Sequence, residues 1–112
     1  MKMVTAIIRP LRLDDVVNAL EAMGLDRLVV SEVRGVGRTP PSRRSLPDLP
    51  QTLRLPSRTK IEIAVANEQV RSVIDAICTA GAIGLAGDGK IFVSDLECAV
   101  RIRNGERGER AL

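Results

Sequence analysis

Three glycines fall within six positions in the run Gly84-Leu85-Ala86-Gly87-Asp88-Gly89, and Lys90 then leads into the apolar Ile91-Phe92-Val93. Glycine tolerates positive φ and lets a ligand come close to bare backbone N–H groups. Successive N–H groups in such a turn form a concave nest that suits phosphate oxygens, and Lys90 would add a mobile positive charge at its rim. The same residues also describe a tight turn entering a strand with Lys90 in water, and spacing alone leaves both readings open. Asp88 is the only acid inside the turn, and orienting that turn is the plainest role for it. The chain has no histidine, so a small hydrolase, for example one acting on phosphate esters, would lack the usual poised base. Cys78 and Cys98 stand twenty apart with no histidine between or beyond them, which matches no zinc pattern. They read as reduced, buried thiols, and no metal site is expected.

The basic residues point the same way as the glycines. Of the 17 basic residues 14 are arginine, set against 14 acids, for a net charge of +3. Arginine suits planar, bidentate grips on phosphate and carboxylate. Phe92 is the only aromatic residue, so the stacking platforms of single-strand and RNA binders are missing and a nucleic-acid partner is not expected. A small anionic ligand or an acidic partner surface fits better. With 112 residues, 45% apolar and 28% charged, the chain suits one folded domain with a single core. No apolar run is long enough to span a bilayer and no signal-peptide core opens the sequence, so the expected location is the cytoplasm.

Something must hold that turn. Met3-Val4-Thr5-Ala6-Ile7-Ile8 is short, apolar and β-branched, and Pro10 ends it. Leu13, Val16, Val17, Leu20 and Met23 repeat at helical spacing, with Asp14 and Asp15 early and Gly24 as the stop. Leu28 to Val36 reads as a second strand, on which Glu32 and Arg34 share a face with Val30. Residues 39–57 hold five of the six prolines and no regular element is expected there. Alternation resumes at Ile61, Ile63 and Val65. Asn67 is then expected to cap a helix with the stripe Val70, Val73, Ile74 and Ile77, and Gly81 to follow it as a C-terminal cap. After the glycine turn come a strand from Lys90 to Ser94, an extended piece Val100-Arg101-Ile102-Arg103 with both arginines on one side, and a frayed polar tail over 104–112. The order predicts an α+β, ferredoxin-like βαββαβ sandwich in which two helices cover one sheet face. The other face, mixed in character, calls for water or another subunit.

Four blocks in this order resemble the PII signal-transduction proteins of nitrogen regulation: Ala6-Ile7-Ile8-Arg9-Pro10 with Leu13-Asp14-Asp15-Val16, then Glu32-Val33-Arg34-Gly35-Val36-Gly37-Arg38, then Gly87-Asp88-Gly89-Lys90-Ile91-Phe92-Val93, and Val100-Arg101-Ile102-Arg103 with Gly105-Glu106. The resemblance spans nearly the whole chain apart from the proline-rich segment. It implies a homotrimer with three nucleotide sites between subunits. Gly35, Gly37, Arg38, Gly87, Asp88, Gly89 and Lys90 would line one side of an ATP or ADP site, and Arg101 and Arg103 of the adjacent chain would close it. It further implies a non-enzymatic sensor, with magnesium accompanying ATP, that regulates a partner such as an ammonium transporter or another transporter or enzyme. Any contact with a membrane would run through such a partner.

The departures from the family are specific. Residues 39–57 replace the long T-loop through which relatives dock. Gln51 stands at the modifiable tyrosine, and with no tyrosine in the chain uridylylation is chemically impossible. Leu49 stands at the cyanobacterial phosphoserine, although Ser42, Ser45 and Ser57 leave other sites for phosphorylation. Thr39 replaces the glutamine that helps hold magnesium when relatives bind 2-oxoglutarate, and Arg58 replaces the lysine that pairs with its carboxylate. Both changes predict weak or absent 2-oxoglutarate binding. Ile83 and Leu85 replace a hydroxyl and a basic residue near the glycine turn. The alternative reading keeps the fold but assigns a different small ligand and a transporter outside ammonium metabolism.

Overall fold

In the computed structural model, β1 (Lys2–Ile8) alternates in burial as its composition requires, with Val4, Ala6 and Ile8 buried and Met3, Thr5 and Ile7 half-buried on the other face. It is the inner strand on which the sheet is assembled. β3 (Ser57–Val65) pairs antiparallel along one side of it, from Lys2 opposite Val65 to Ile8 opposite Thr59. β4 (Gly89–Asp95) pairs along the other side, from Lys2 opposite Asp95 to Ile8 opposite Gly89. β2 (Leu28–Arg34) lies outside β3, giving the order β2-β3-β1-β4. The structure describes residues 1–35 and 55–112; Val36, Gly37, Arg38 and most of the proline-rich segment lie outside the described residues.

Both helices pack on one face. α1 (Leu13–Glu21) contributes Val16 and Leu20, and α2 (Val70–Gly81) contributes Val73 and Ile77, against Val4, Ala6, Ile8, Ile61, Ile63 and Val65. None of these side chains is more than 3% exposed, and burying each large aliphatic one stabilises the fold by ~1.5–3 kcal/mol. A 3-10 turn at Pro10–Arg12 feeds α1. The Arg12 guanidinium donates to the Ala80 carbonyl through Nε and Nη2 (3.0 and 2.7 Å) and pairs with Asp15 at 3.0 Å, tying the start of α1 to the end of α2. α1 ends at Glu21, and Gly24, expected as the stop, closes the turn beyond it: its N–H donates to the Glu21 carbonyl while Leu25 donates back to Leu20. Among the described residues no helix is long and apolar enough to cross a membrane.

The opposite face is mixed, as its alternation predicted. Val29 and Phe92, 63% and 54% exposed, share it with Arg58, Lys60 and Glu62, of which the last two pair at 3.4 Å. Val30, Glu32 and Arg34 lie on the helix side, because the register sets Val30 opposite the buried Ile61. Val30 is still 43% exposed, since the helices do not reach over the β2 edge.

Several expectations are corrected by the packing. Both cysteines are exposed rather than buried: Cys78 falls one step beyond the Val73–Ile77 stripe of α2, and Cys98 follows β4 in an irregular segment. Gly81 is the last residue of α2 rather than a cap. It takes the next position of the apolar stripe, where a Cβ would touch Val16 and Ile8, and the helix ends with Ala82 in extended conformation. Asn67 does not cap α2. Its side-chain oxygen accepts from the Met1 nitrogen at 2.8 Å, while Gln69 accepts from the Ala66 N–H at 3.1 Å. The residues expected to fray fold into a 3-10 turn over Gly108–Ala111, and Arg27 donates to the Leu112 carbonyl at 2.9 Å.

Candidate functional site

The glycine turn links the end of α2 to β4, and two side chains hold it. Asp88 accepts from the N–H groups of Ile83 and Gly84 through Oδ2, at 3.1 and 2.9 Å. Its Oδ1 accepts from Arg9 Nε at 3.1 Å, and Arg9 Nη2 donates to the Ala86 carbonyl at 2.8 Å. The carboxylate therefore closes the loop on itself, and the guanidinium fastens it to the end of β1. Burial pushes the Asp88 pKa up. The hydrogen bonds from Arg9, Gly84 and Ile83 and the guanidinium charge outweigh that, and the carboxyl sits below its ordinary 3.8.

Gly84, Gly87 and Gly89 all have positive φ. At Gly89, with φ +116°, a Cβ would overlap the Ile7 carbonyl oxygen, so this position admits only glycine if the β1–β4 register is kept. Lys90, exposed, follows at once. Gly87, Asp88, Gly89 and Lys90 follow one another on a loop held by Asp88 from within and by Arg9 from the end of β1. The plain role expected for Asp88, orienting the turn, is what its hydrogen bonds do. Ile83 and Leu85 are 47% and 65% exposed beside it, and Leu11 is 94% exposed next to a cavity of about 410 Å³ that Arg9, Arg12, Arg58 and Ile83 line. Arg58 donates to the Ser57 carbonyl at 2.9 Å.

Gly35 lies at the same end of the sheet but across it. Its N–H donates to the Pro56 carbonyl at 3.1 Å just beyond β2, which is three strand spacings, or about 14 Å, from β4. Gly37 and Arg38 lie outside the described residues.

Arg101 and Arg103 are at the far end. β4 runs away from the glycine loop for seven residues, about 20 Å, and the chain then passes Leu96, which donates to the Met1 carbonyl. Val100 bridges Arg107, and the segment between them is a turn rather than the expected extended piece. Two backbone hydrogen bonds close it, Arg101 N–H to Glu106 and Gly105 N–H to Arg101, both 2.8 Å. The two arginines therefore do not sit on one face of an extended strand. Arg101 folds inward, pairing with Glu106 at 2.9 Å and donating to the Arg110 carbonyl at 2.8 Å, whereas Arg103 is exposed within the turn beside a fully exposed Ile102. Arg101 also lines a cavity of about 420 Å³ with Gly24, Leu25, Arg27, Ala64 and Leu112. In one chain, then, the glycine loop and the arginine turn stand at opposite ends of the sheet.

The residue that sequence reasoning missed as part of the site is Arg9. The signal was an acid inside a glycine turn, which needs a cation. The partner lies 79 positions away, and nothing in the spacing singles it out among 14 arginines.

With the geometry in place, comparison with known proteins adds the following. The family model "Nitrogen regulatory protein P-II" matches residues 1–106. The chain is similar to the nitrogen regulatory protein GlnK of Escherichia coli K12, 41% identical over 112 residues and the full length of both. It is 45% identical to nitrogen regulatory protein P-II 2 of Methanothermobacter thermautotrophicus, over all of this chain and 97% of the relative. Among solved structures it is similar to Arabidopsis thaliana PII bound to citrate, with a TM-score of 0.80 and 37% identity over 98% of this chain and 87% of that one.

Proposed function

Given that the chain belongs to the P-II nitrogen regulatory protein family, we propose that it is a signalling protein that binds ATP or ADP in clefts between the subunits of a homotrimer and acts by binding rather than catalysis. What supports the reading most is the separation just described. Lys90 and the glycine loop stand at one end of the sheet and Arg101 and Arg103 at the other, the placement expected if each cleft is completed by a second copy. The donor set suits a polyphosphate: glycine N–H groups that let oxygens approach, an exposed lysine beside them, and arginines that form charge-assisted hydrogen bonds. Magnesium would accompany ATP as its counter-ion. The mixed sheet face bearing Val29 and Phe92 is the surface proposed to be covered in the trimer.

The regulated partner is proposed to be a transporter or enzyme of nitrogen metabolism in the cytoplasm or at its membrane, met through residues 39–57. With Thr39 and Arg58 in place of the glutamine and lysine of relatives, 2-oxoglutarate is proposed to bind weakly even with Mg-ATP. The test is calorimetric titration of ATP and ADP into the purified chain, with light scattering on the eluting species. Binding with a mass of three chains is expected. A monomer at micromolar concentration, or no binding of either nucleotide at millimolar levels, refutes the proposal.

A further inference from the structure

We infer that Arg9 is a positioning residue for the glycine loop, neutralising Asp88 and fixing the loop backbone so that an incoming polyphosphate meets ordered N–H groups rather than a bare carboxylate. The inference rests on the nucleotide reading above. The geometry behind it is independent of that reading.

Asp88 stands between Gly87 and Gly89 and one residue before Lys90, in the stretch proposed to receive phosphate. A carboxylate there repels a polyanion unless its charge is cancelled. Arg9 is placed to cancel it, at 3.1 Å through Nε, and both side chains are only about a quarter exposed (25% and 24%), so solvent and salt screen the pair less than a surface one. The second arm of the fork has a different task. Nη2 holds the Ala86 carbonyl at 2.8 Å, while the Asp88 oxygen that Arg9 leaves unused holds the Ile83 and Gly84 N–H groups. Loop residues 83, 84, 86 and 88 are thereby pinned to the end of β1 by two side chains. Nε and Nη2 are both occupied within the protein, and it is through these two groups that Arg9 acts on the loop.

The test is a set of variants of the full chain, titrated with Mg-ATP by calorimetry. Arg9→Ala is expected to weaken binding by about tenfold or more, as loss of a charge-assisted pair and of loop order implies. Arg9→Lys retains the charge without the planar fork and is expected to lie about threefold below wild type. The double variant Arg9→Ala/Asp88→Asn is expected to recover most of the loss, since the repulsion is gone and an amide oxygen still accepts from Ile83 and Gly84. A purely structural role for Arg9 would not produce that rescue. Arg71→Ala, which removes the same charge from the exposed side of α2, is expected to stay within about twofold of wild type. Without nucleotide, amide hydrogen exchange at Ile83 and Gly84 is expected to quicken in Arg9→Ala. Wild-type affinity in Arg9→Ala, a double variant no better than the single one, or unchanged exchange overturns the inference. If Arg9→Ala fails to fold, Arg9→Lys decides, and equality with wild type overturns it. Failure of wild type to bind ATP removes the nucleotide reading and this role with it, whereas wild-type binding indifferent to Arg9 removes this inference alone.

Discussion

Two of the arginine–carboxylate pairs among the described residues, Arg9–Asp88 and Arg101–Glu106, stand at opposite ends of one sheet and are built on different principles. At one end Arg9 reaches a carboxylate 79 positions away and fastens a glycine loop to β1. At the other, Arg101 pairs with Glu106, five positions on, and the turn they share is closed by its own backbone. The first cluster couples distant parts of the chain, so disturbing it should reach the sheet. The second is local and more exposed on its acidic side, 42% against 24%, so disturbing it should leave the fold alone and show itself in binding. A long-range clamp ties its loop to the sheet, whereas a local pair leaves its turn independent of it.

The sharpest way to break this contrast is Gly89→Ala. The new Cβ would collide with the Ile7 carbonyl oxygen at a φ of +116°, and that atom is backbone of the central strand. Relief requires moving β4 against β1. A loss of roughly 2–4 kcal/mol in unfolding free energy is expected, measured by urea denaturation. A loss under about 1 kcal/mol would mean the loop end is as pliable as the other.

Arg103→Ala addresses the far end. Arg103 is exposed within a turn that other groups close, so its unfolding midpoint should match wild type. On the proposed function it should still lose roughly 1.5–3 kcal/mol of nucleotide binding, about ten- to a hundredfold. Unchanged affinity would leave Arg103 as ordinary solvated surface.

How much of this contrast the sequence reveals depends on the range of the interaction. Alternation placed β1 and β3, and three-four spacing placed α1 and α2, because those patterns reflect a face shared by neighbours along the chain. The glycine loop was legible for the same reason: its φ requirement is local. The Arg9–Asp88 clamp was not, since a pairing across 79 residues depends on which strand ends meet. The turn at 101–106 was misread as extended because Val100-Arg101-Ile102-Arg103 alternates like a strand, while the hydrogen bonds that bend it involve Gly105 and Glu106 just beyond. The buried reading of Cys78 failed because hydrophobic type was weighed above its helical phase. Gly81, taken for a stop, was instead a small residue in the packed stripe.

Acid should separate the two ends next. Asp88 has its pKa lowered in the folded chain, so the clamp's contribution is fully present above the ordinary 3.8 and is lost as pH falls through the lower folded value. Amide exchange at Ile83 and Gly84, corrected for its intrinsic pH dependence, should therefore be flat from neutrality down to about pH 4 and rise only below it. A rise beginning near pH 6 would mean that Asp88 is not the group holding those amides.

The smallest effect expected, and the most discriminating for the local cluster, is that of Glu106→Gln. The Arg101–Glu106 pair is partly exposed on both sides and closes within one turn, so by the usual behaviour of such pairs its loss should cost about 0–1 kcal/mol of stability. On binding the sign should reverse. If Arg101 must turn from Glu106 toward a phosphate of the adjoining subunit, that carboxylate competes with the ligand for the guanidinium and also repels it. Its neutralisation should then raise ATP affinity by about two- to fivefold, the equivalent of up to about 1 kcal/mol. The backbone hydrogen bonds between Arg101 and both Glu106 and Gly105 remain to hold the turn, so any gain would come from the freed side chain and not from a refolded segment. A fall in affinity would show the opposite, that Glu106 holds Arg101 ready for the phosphate as Arg9 is inferred to hold the glycine loop. The two ends would then work by one principle instead of two.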